Sequence, residues 1–237
     1  MRFRAAGRSR AGVPLLLFGL GLFCLGLFCL APSAALAEEP ATLDVCFAPL
    51  GKHDKRLLPS AVRGTEYLYG AQVHLLAPRP LPNAAYYKPR KRYRAEKLLD
   101  FLRDEVMPIK GCDLIIGITA VDISTTKDDH VDWGILGLGS MGGTTGVVSS
   151  YRMKRGAKLA KQKRRMVSTL NHEIGHVLSA PHGGAPGCLM NDAQGTVRSV
   201  DQEHGLLCEE SRNLIEAHLG HRLPVRKSFD WQLVLKH

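Results

Sequence analysis

The sequence predicts an α/β domain built on a largely parallel sheet. Short apolar runs rich in β-branched residues stand at 43–50 and 112–123, and a segment with near-helical apolar spacing lies between them. The chain is also long enough to bury a full core. Its 237 residues are 45% hydrophobic and 23% charged, which favours one folded domain over a disordered chain.

Each element follows from its own pattern. "LDVCFAPL" (43–50) and "CDLIIGITAVDI" (112–123) read as strands, and "AQVHLL" (71–76) as a weaker one. In "RYRAEKLLDFLRDEVM" (92–107), Leu98, Leu99, Phe101, Leu102, Val106 and Met107 recur at near-helical spacing. A helix crossing back over the sheet is the simplest link between parallel strands. "GILGLGSMGG" and "TGVVSSYRM" read as two extended stretches joined through glycines, as in a hairpin. The second is expected to supply an edge strand near 146–150, to which an extended peptide could add. Helices are expected at about 161–178 and 203–219. "HRLPVRKSFDWQLVLKH" is a tail without an assigned place, and no internal repeat is visible.

The N-terminus has a different character. Arg2, Arg4, Arg8 and Arg10 precede an uncharged run at 13–31, and "PSAALA" follows before Glu38. This is a secretory signal pattern, with Ala35 and Ala37 favouring cleavage after Ala37. The run is also just long enough to span a bilayer, so an uncleaved anchor is the competing reading, and the chain meets a membrane only in that case. Either way the arginines hold the start inside and send the remainder out. The expected organisation is a signal peptide at 1–37 and a single domain with its tail at 38–237, secreted or held in the periplasm or cell envelope as a monomer. Without residues 1–37 the formal charge falls from +10 to +6. Cys46, Cys112, Cys188 and Cys208 then remain, in a compartment that permits disulfides.

Two patterns carry less than they suggest. "GLGSMG" (137–142) has the glycine spacing of a dinucleotide-binding loop, but a strand-like "TTGVVSS" follows where that chemistry needs a helix N-terminus, so a glycine-rich turn between strands is the better reading. The basic runs "KPRKRYR" (88–94) and "RMKRGAKLAKQKRR" (152–165) read as solvated faces, and no nucleic acid is expected as a partner.

The chemistry lies in "HEIGHVLSAPH" (172–182). Histidines four apart project from one face of a helix, so His172 and His176 can bind one metal. The apolar Met166, Val167, Leu170, Ile174, Val177 and Leu178 cluster almost opposite, so one face packs on the sheet while the other floors a cleft. Glu173 stands where a carboxylate can take a proton from an attacking water without itself becoming a ligand. Pro181 is expected to end the helix just before His182, which completes three ligands and leaves a fourth position open. The other seven histidines are read as structural.

With its continuation "GGAPGCLM", this stretch resembles the metzincin signature, and in particular that of the archaemetzincin family. "RYRAEKLLDFL", "IIGITAVDI" and "GVVSSYRM" extend the likeness over most of residues 43–210. The resemblance implies a mixed, mostly parallel twisted sheet with an antiparallel edge strand, an active-site helix, a methionine turn and a C-terminal helix. It implies a zinc peptidase acting on peptide or protein substrates. His172, His176 and His182 are the implied zinc ligands, Glu173 is the general base and later proton shuttle, and Met190 lies in the turn beneath the metal. The alternatives are a non-catalytic envelope protein with a structural zinc, or a basic binding module.

The departures from the family pattern matter as much. Ser179 replaces the turn glycine, which costs on the order of 1 kcal/mol if the turn keeps a positive φ. Gly183 and Ser211 replace two of the four cysteines that bind a second zinc in the family. The remaining pair cannot close a tetrahedral site, so one zinc per chain is expected. Because the resembled family brings Cys188 and Cys208 to one metal, they are the expected disulfide here. Cys46 and Cys112 form either a second bridge or core thiols.

Overall fold

A computed structural model describes residues 42–109, 111–192 and 196–236. The expected signal or anchor at 1–37 lies outside these residues. The chain runs β1 (Asp44–Pro49), α1 (Leu58–Tyr69), β2 (Gln72–Leu75), β3 (Tyr86–Tyr87), β4 (Arg92–Arg94), α2 (Ala95–Phe101), β5 (Leu114–Thr119), β6 (Ile123–Lys127), β7 (His130–Ile135), β8 (Gly137–Gly139) and β9 (Thr145–Ser149). The helices α3 (Leu159–Val177), α4 (Val197–Val200), α5 (Glu209–Leu219) and α6 (Trp231–Leu235) complete it. The main sheet has the order β2-β1-β5-β9-β8, parallel except for β8 against β9. A smaller sheet, β3-β4-β6-β7, is mixed. The predicted α/β class with a mostly parallel sheet therefore holds.

The main sheet is covered on both faces, which is why its strands read as unbroken apolar runs. Val45 and Phe47 of β1, with Leu114, Ile116 and Ile118 of β5, face one core cluster, which contains the apolar side of α3. The alternate residues Cys46, Ala48 and Ile115 face the other, closed by Leu98, Leu99 and Leu102 of the α2 segment. That segment continues past Phe101 as a π-helical turn at Leu102–Val106.

Several expectations need correction. The stretch at 112–123 is not one strand: it ends at Thr119, and β6 begins at Ile123 in the smaller sheet. The segment near 146–150 is not an edge. β9 lies between β5 and β8, and its successive Val147 and Val148 point to opposite faces, both buried, as an interior strand requires. The edge strand on that side of the main sheet is β8. The final long helix begins at Glu209 rather than near 203. Helix α3 ends at Val177, in agreement with the expected 178, but Pro181 is not what ends it. Ser179 takes φ +72°, and the amide N–H groups of Ser179 and Ala180 donate to the carbonyls of His176 and Gly175, a Schellman closure that ends the helix three residues earlier than Pro181 forces.

Helix α1 was not foreseen, and the tail has a definite place. Leu223, Phe229 and Val234 of the tail are buried in the same cluster as α1 and α3. Part of each basic run is engaged in ion pairs: Arg92 with Asp122 and Asp132, Arg152 with Asp122, and Arg165 with Asp201.

Candidate metal centre

α3 packs against α1 on one side and β8 and β9 on another, which fixes the helix that carries His172, Glu173 and His176. Gly64 of α1 lets the helices approach so closely that a Cβ there would stand 2.4 Å from Val167. Asn171, one residue before His172, is held from α1: Thr65 Oγ1 donates to its Oδ1 (2.8 Å), its Nδ2 donates to the Gly64 carbonyl (3.2 Å), and Tyr69 Oη donates to its own carbonyl (2.6 Å).

The three histidines converge. His172 Nε2 lies 3.1 Å and His176 Nε2 3.0 Å from His182 Nε2. His172 and His176 are buried, and His182 is exposed at the rim. Among the described residues this is the group of metal-ligating side chains that meets at one point. The backbone decides the tautomers. His172 Nδ1 sits 2.6 Å from the Leu189 carbonyl and His176 Nδ1 2.8 Å from the Ala180 carbonyl. Carbonyls only accept, so both Nδ1 atoms carry the proton and both Nε2 atoms present lone pairs. Burial, with the neighbouring histidines adding to it, pushes the His172 imidazole down to about 3, so the ring is neutral.

His182 Nε2 can donate to at most one of the other two, so at least one close contact sets lone pair against lone pair. A cation between them removes that repulsion. The spacing is slightly tighter than the roughly 3.3 Å between nitrogens of a tetrahedral zinc with bonds of about 2.0–2.1 Å, so the donor set fits zinc with small outward shifts.

The loop carrying His182 is tied to the methionine turn. Gly183 N–H donates to the Met190 carbonyl and Leu189 N–H to that of Leu206. Met190 is fully buried against α3, where a Cβ on Gly175 would stand 2.4 Å from its Sδ. Beside it Cys188 and Cys208 are joined by a disulfide, with Cα atoms 5.4 Å apart, and Ser211 Oγ lies 3.3 Å from Cys208 Sγ. A second disulfide joins Cys46 and Cys112.

β8 closes the other side. Its even-numbered neighbours bond to β9, as when Ser140 N–H donates to Thr145 and Ser149 N–H to Leu136, so Gly137 and Gly139 direct their backbone groups outward. Gly139 N–H donates to the Glu173 carboxylate, and this opposes burial, which pushes the carboxyl up to about 8. Side chains are excluded at both glycines: a Cβ at 137 would meet Glu173 Oε1 at 2.6 Å, and one at 139 the Glu173 carbonyl oxygen at 2.4 Å. The motif set aside as a glycine-rich turn thus includes the strand that holds the carboxylate. A cavity of about 440 Å³ opens over the histidines and Glu173, with Lys127 paired to Asp192 across 3.7 Å at its mouth.

The sequence matches the model of peptidase family M54 over residues 73–217. The chain belongs to peptidase family M54. The archaemetzincin of Haloarcula marismortui is 29% identical over 174 residues, covering 70% of this chain and 95% of the relative. That of Natronomonas pharaonis is 25% identical over the same length and shares. The fold is shared with the crystal structure of archaemetzincin from Methanopyrus kandleri, at TM-score 0.68 and 24% identity, covering 78% of this chain and 100% of that one. It is shared also with the archaemetzincin of Archaeoglobus fulgidus complexed with malonate, at TM-score 0.61 and 21% identity, with 72% and 99% covered. As an M54 peptidase the protein is a zinc metallopeptidase with peptide or protein substrates.

Several contributors were not legible beforehand. The carbonyls of Leu189 and Ala180 and the N–H of Gly139 act through the backbone and leave no mark in a side-chain pattern, and Asn171 and Glu203 belong to no motif.

Proposed function

We propose that this M54 peptidase holds one zinc on His172, His176 and His182 and cleaves peptide bonds with Glu173 as general base. The observation that carries this reading is the joint placement of three converging Nε2 atoms and a buried carboxyl group in the lining of one cavity. Bound zinc supplies Lewis acidity, which polarises the scissile carbonyl and makes water acidic near neutral pH. With a cation held by the three histidines favouring its ionised form, the buried Glu173 accepts the proton of the attacking water on its carboxylate and returns it to the leaving amine. Gly139 N–H keeps that carboxylate turned to the cavity, and the walls of β8 and α3 limit competing water. Met190 packs beneath α3 and keeps the floor rigid.

Two further parts of the proposal concern place and stoichiometry. An exported protein accords with the signal pattern at 1–37 and with two disulfides, which persist in oxidising compartments. One zinc per chain accords with Cys188 and Cys208 being engaged with each other rather than with a metal.

The deciding variant is Glu173→Gln. It leaves the imidazoles untouched, so zinc content should stay at the wild-type level while hydrolysis of a peptide library falls by about a hundredfold or more. Undiminished hydrolysis in that variant would sink the mechanism.

A further inference from the structure

The cavity beside the histidines has a second carboxylate at its buried end, which the chemistry above does not use. Its lining passes from the exposed His182 and Asp192 to Leu136, Thr169, Val200 and Glu203, all nearly inaccessible. Glu203 is only 3% exposed, yet its Oε2 has no hydrogen-bond partner among the described residues. Thr169, one helical turn before Glu173, is 4% exposed with its Oγ1 likewise without a partner. A buried carboxylate oxygen and a buried hydroxyl left unsatisfied on the wall of one cavity are costly features. They become useful when a ligand brings donors.

The charges around Glu203 do not settle it from within. Arg164 is the nearby cation, but its guanidinium donates to the Glu203 backbone carbonyl at 3.0 Å and stacks 4.7 Å over Trp231. Glu173 and Asp201 add negative charge. Burial, foremost, pushes the Glu203 carboxyl up to about 8, with Ser168 and Arg164 opposing and Glu173 and Asp201 adding to it. At the mouth Lys127 is occupied by Asp192. The lining also includes the apolar Ile135, Leu136, Leu138 and Val200. A cavity with apolar lining and, at buried positions, one carboxylate oxygen and one hydroxyl without partners matches a side chain with a methylene stem and a cationic head.

We propose that Glu203 and Thr169 form a specificity pocket that selects a lysine or arginine side chain flanking the scissile bond of the peptide. This rests on the peptidase reading for its placement, but its test has a readout that does not. The methylenes lie along Leu136 and Val200, and the cation donates to Glu203 Oε2 and Thr169 Oγ1. Norleucine in place of lysine keeps the stem and leaves both oxygens unsatisfied, so discrimination comes from the head group.

The experiment uses one peptide sequence with lysine, norleucine or glutamate at each of the two positions flanking the cleaved bond. kcat/KM is measured with the zinc-loaded protein, and Kd with the zinc-loaded Glu173→Gln protein. At one flanking position, lysine should exceed norleucine by at least about tenfold in both readouts, with glutamate the poorest. Glu203→Gln should bring the lysine peptide to within about threefold of the norleucine peptide when both are measured on that variant, and Thr169→Val should narrow the gap in the same direction. Norleucine equal to or better than lysine in the wild-type protein overturns the pocket, even if the Glu203 variant does not fold. A lysine preference that survives Glu203→Gln overturns it as well. If no peptide is cleaved, the peptidase reading fails, and the Kd ratio alone decides whether the pocket stands.

Discussion

Ser179 holds φ +72°, a conformation glycine adopts freely and an L side chain does not, and it does so at the Schellman closure that sends the chain toward His182. Its hydroxyl lies 3.0 Å from His218 Nδ1, an exposed contact that offsets little of the backbone cost. Ser179→Gly should therefore raise stability by about 0.5–1 kcal/mol. The check is a higher denaturant midpoint at unchanged slope, and a lower midpoint would show that the His218 contact outweighs the backbone. A second residue-scale feature ties α3 to the segment after α4. Arg165 is buried and places Nε and Nη2 on the two carboxylate oxygens of Asp201, both at 2.7 Å, with Nη1 on the Met153 and Arg155 carbonyls. The Arg165 guanidinium, foremost, with Lys161, holds the Asp201 carboxyl below its ordinary value of 3.8. A depressed carboxyl contributes stability that is present above the unfolded-state pKa and is lost as pH falls through the folded one. Asp201→Asn should thus destabilise the protein at neutral pH, and the gap to wild type should close below about pH 4. Melting curves at neutral and acid pH test this, and a gap that stays constant across the range counts against the pair.

The approach of β8 to α3 is the element-scale feature on which the site depends. An added methyl at Gly139 meets the Glu173 backbone carbonyl oxygen at 2.4 Å and His176 Cβ at 3.0 Å, and neither can rotate away. Gly139→Ala should push the strand off the helix at a cost of about 1–3 kcal/mol, withdraw the N–H from the Glu173 carboxylate and lower hydrolysis at least tenfold, with zinc retained on the histidines. Loss of zinc in that variant would instead mean that β8 supports the ligands. The same contrast between side-chain and backbone signals explains what was legible in the sequence. β1, β5 and α3 were readable because their buried faces are made of large apolar residues at fixed period. α1 was not, because the face it buries includes Ser60, Ala61, Gly64 and Thr65, small or polar residues whose value lies in close approach to Val167 and in hydrogen bonds to Asn171. β7 does carry a period-2 signal, with Val131, Trp133 and Ile135 alternating with His130, Asp132 and Gly134, although none of its residues is fully buried. The assignment of β9 as an edge overlooked its two consecutive buried valines. At the site, the spacing of His172, Glu173, His176 and His182 was sufficient to bring them together. Glu203 could not be placed, because it lies thirty positions after Glu173, beyond the end of α3 and past α4.

At the scale of the whole molecule, covalent staples and metal share the task of holding the site. The Cys46–Cys112 bridge spans 66 residues and ties β1 to the segment that leads into β5; it is worth about 4 kcal/mol in the chain-entropy model. The Cys188–Cys208 bridge spans 20 residues and is worth about 3 kcal/mol in the same model. Its position gives it a second consequence. The closed loop contains Leu189, whose carbonyl orients His172, and Met190, whose carbonyl receives Gly183 N–H beside His182. Gly184 sits so close to both sulfurs that a Cβ there would stand 2.3 Å from Cys208 Sγ and 2.8 Å from Cys188 Sγ, so the bridge backs directly onto the His182 loop. Opening it should loosen His172 and His182 together. The prediction is that a Cys188→Ala, Cys208→Ala protein, or wild type under strong reductant, loses about 3 kcal/mol of stability and binds zinc about tenfold or more weakly. Oxidised wild type should carry one zinc per chain by native mass spectrometry. Two tightly held ions would mean that the thiols serve a second metal. If the double variant keeps wild-type zinc affinity but loses stability, the bridge acts on the fold alone, and the backbone hydrogen bonds of Leu189 and Gly183 suffice to position the ligands.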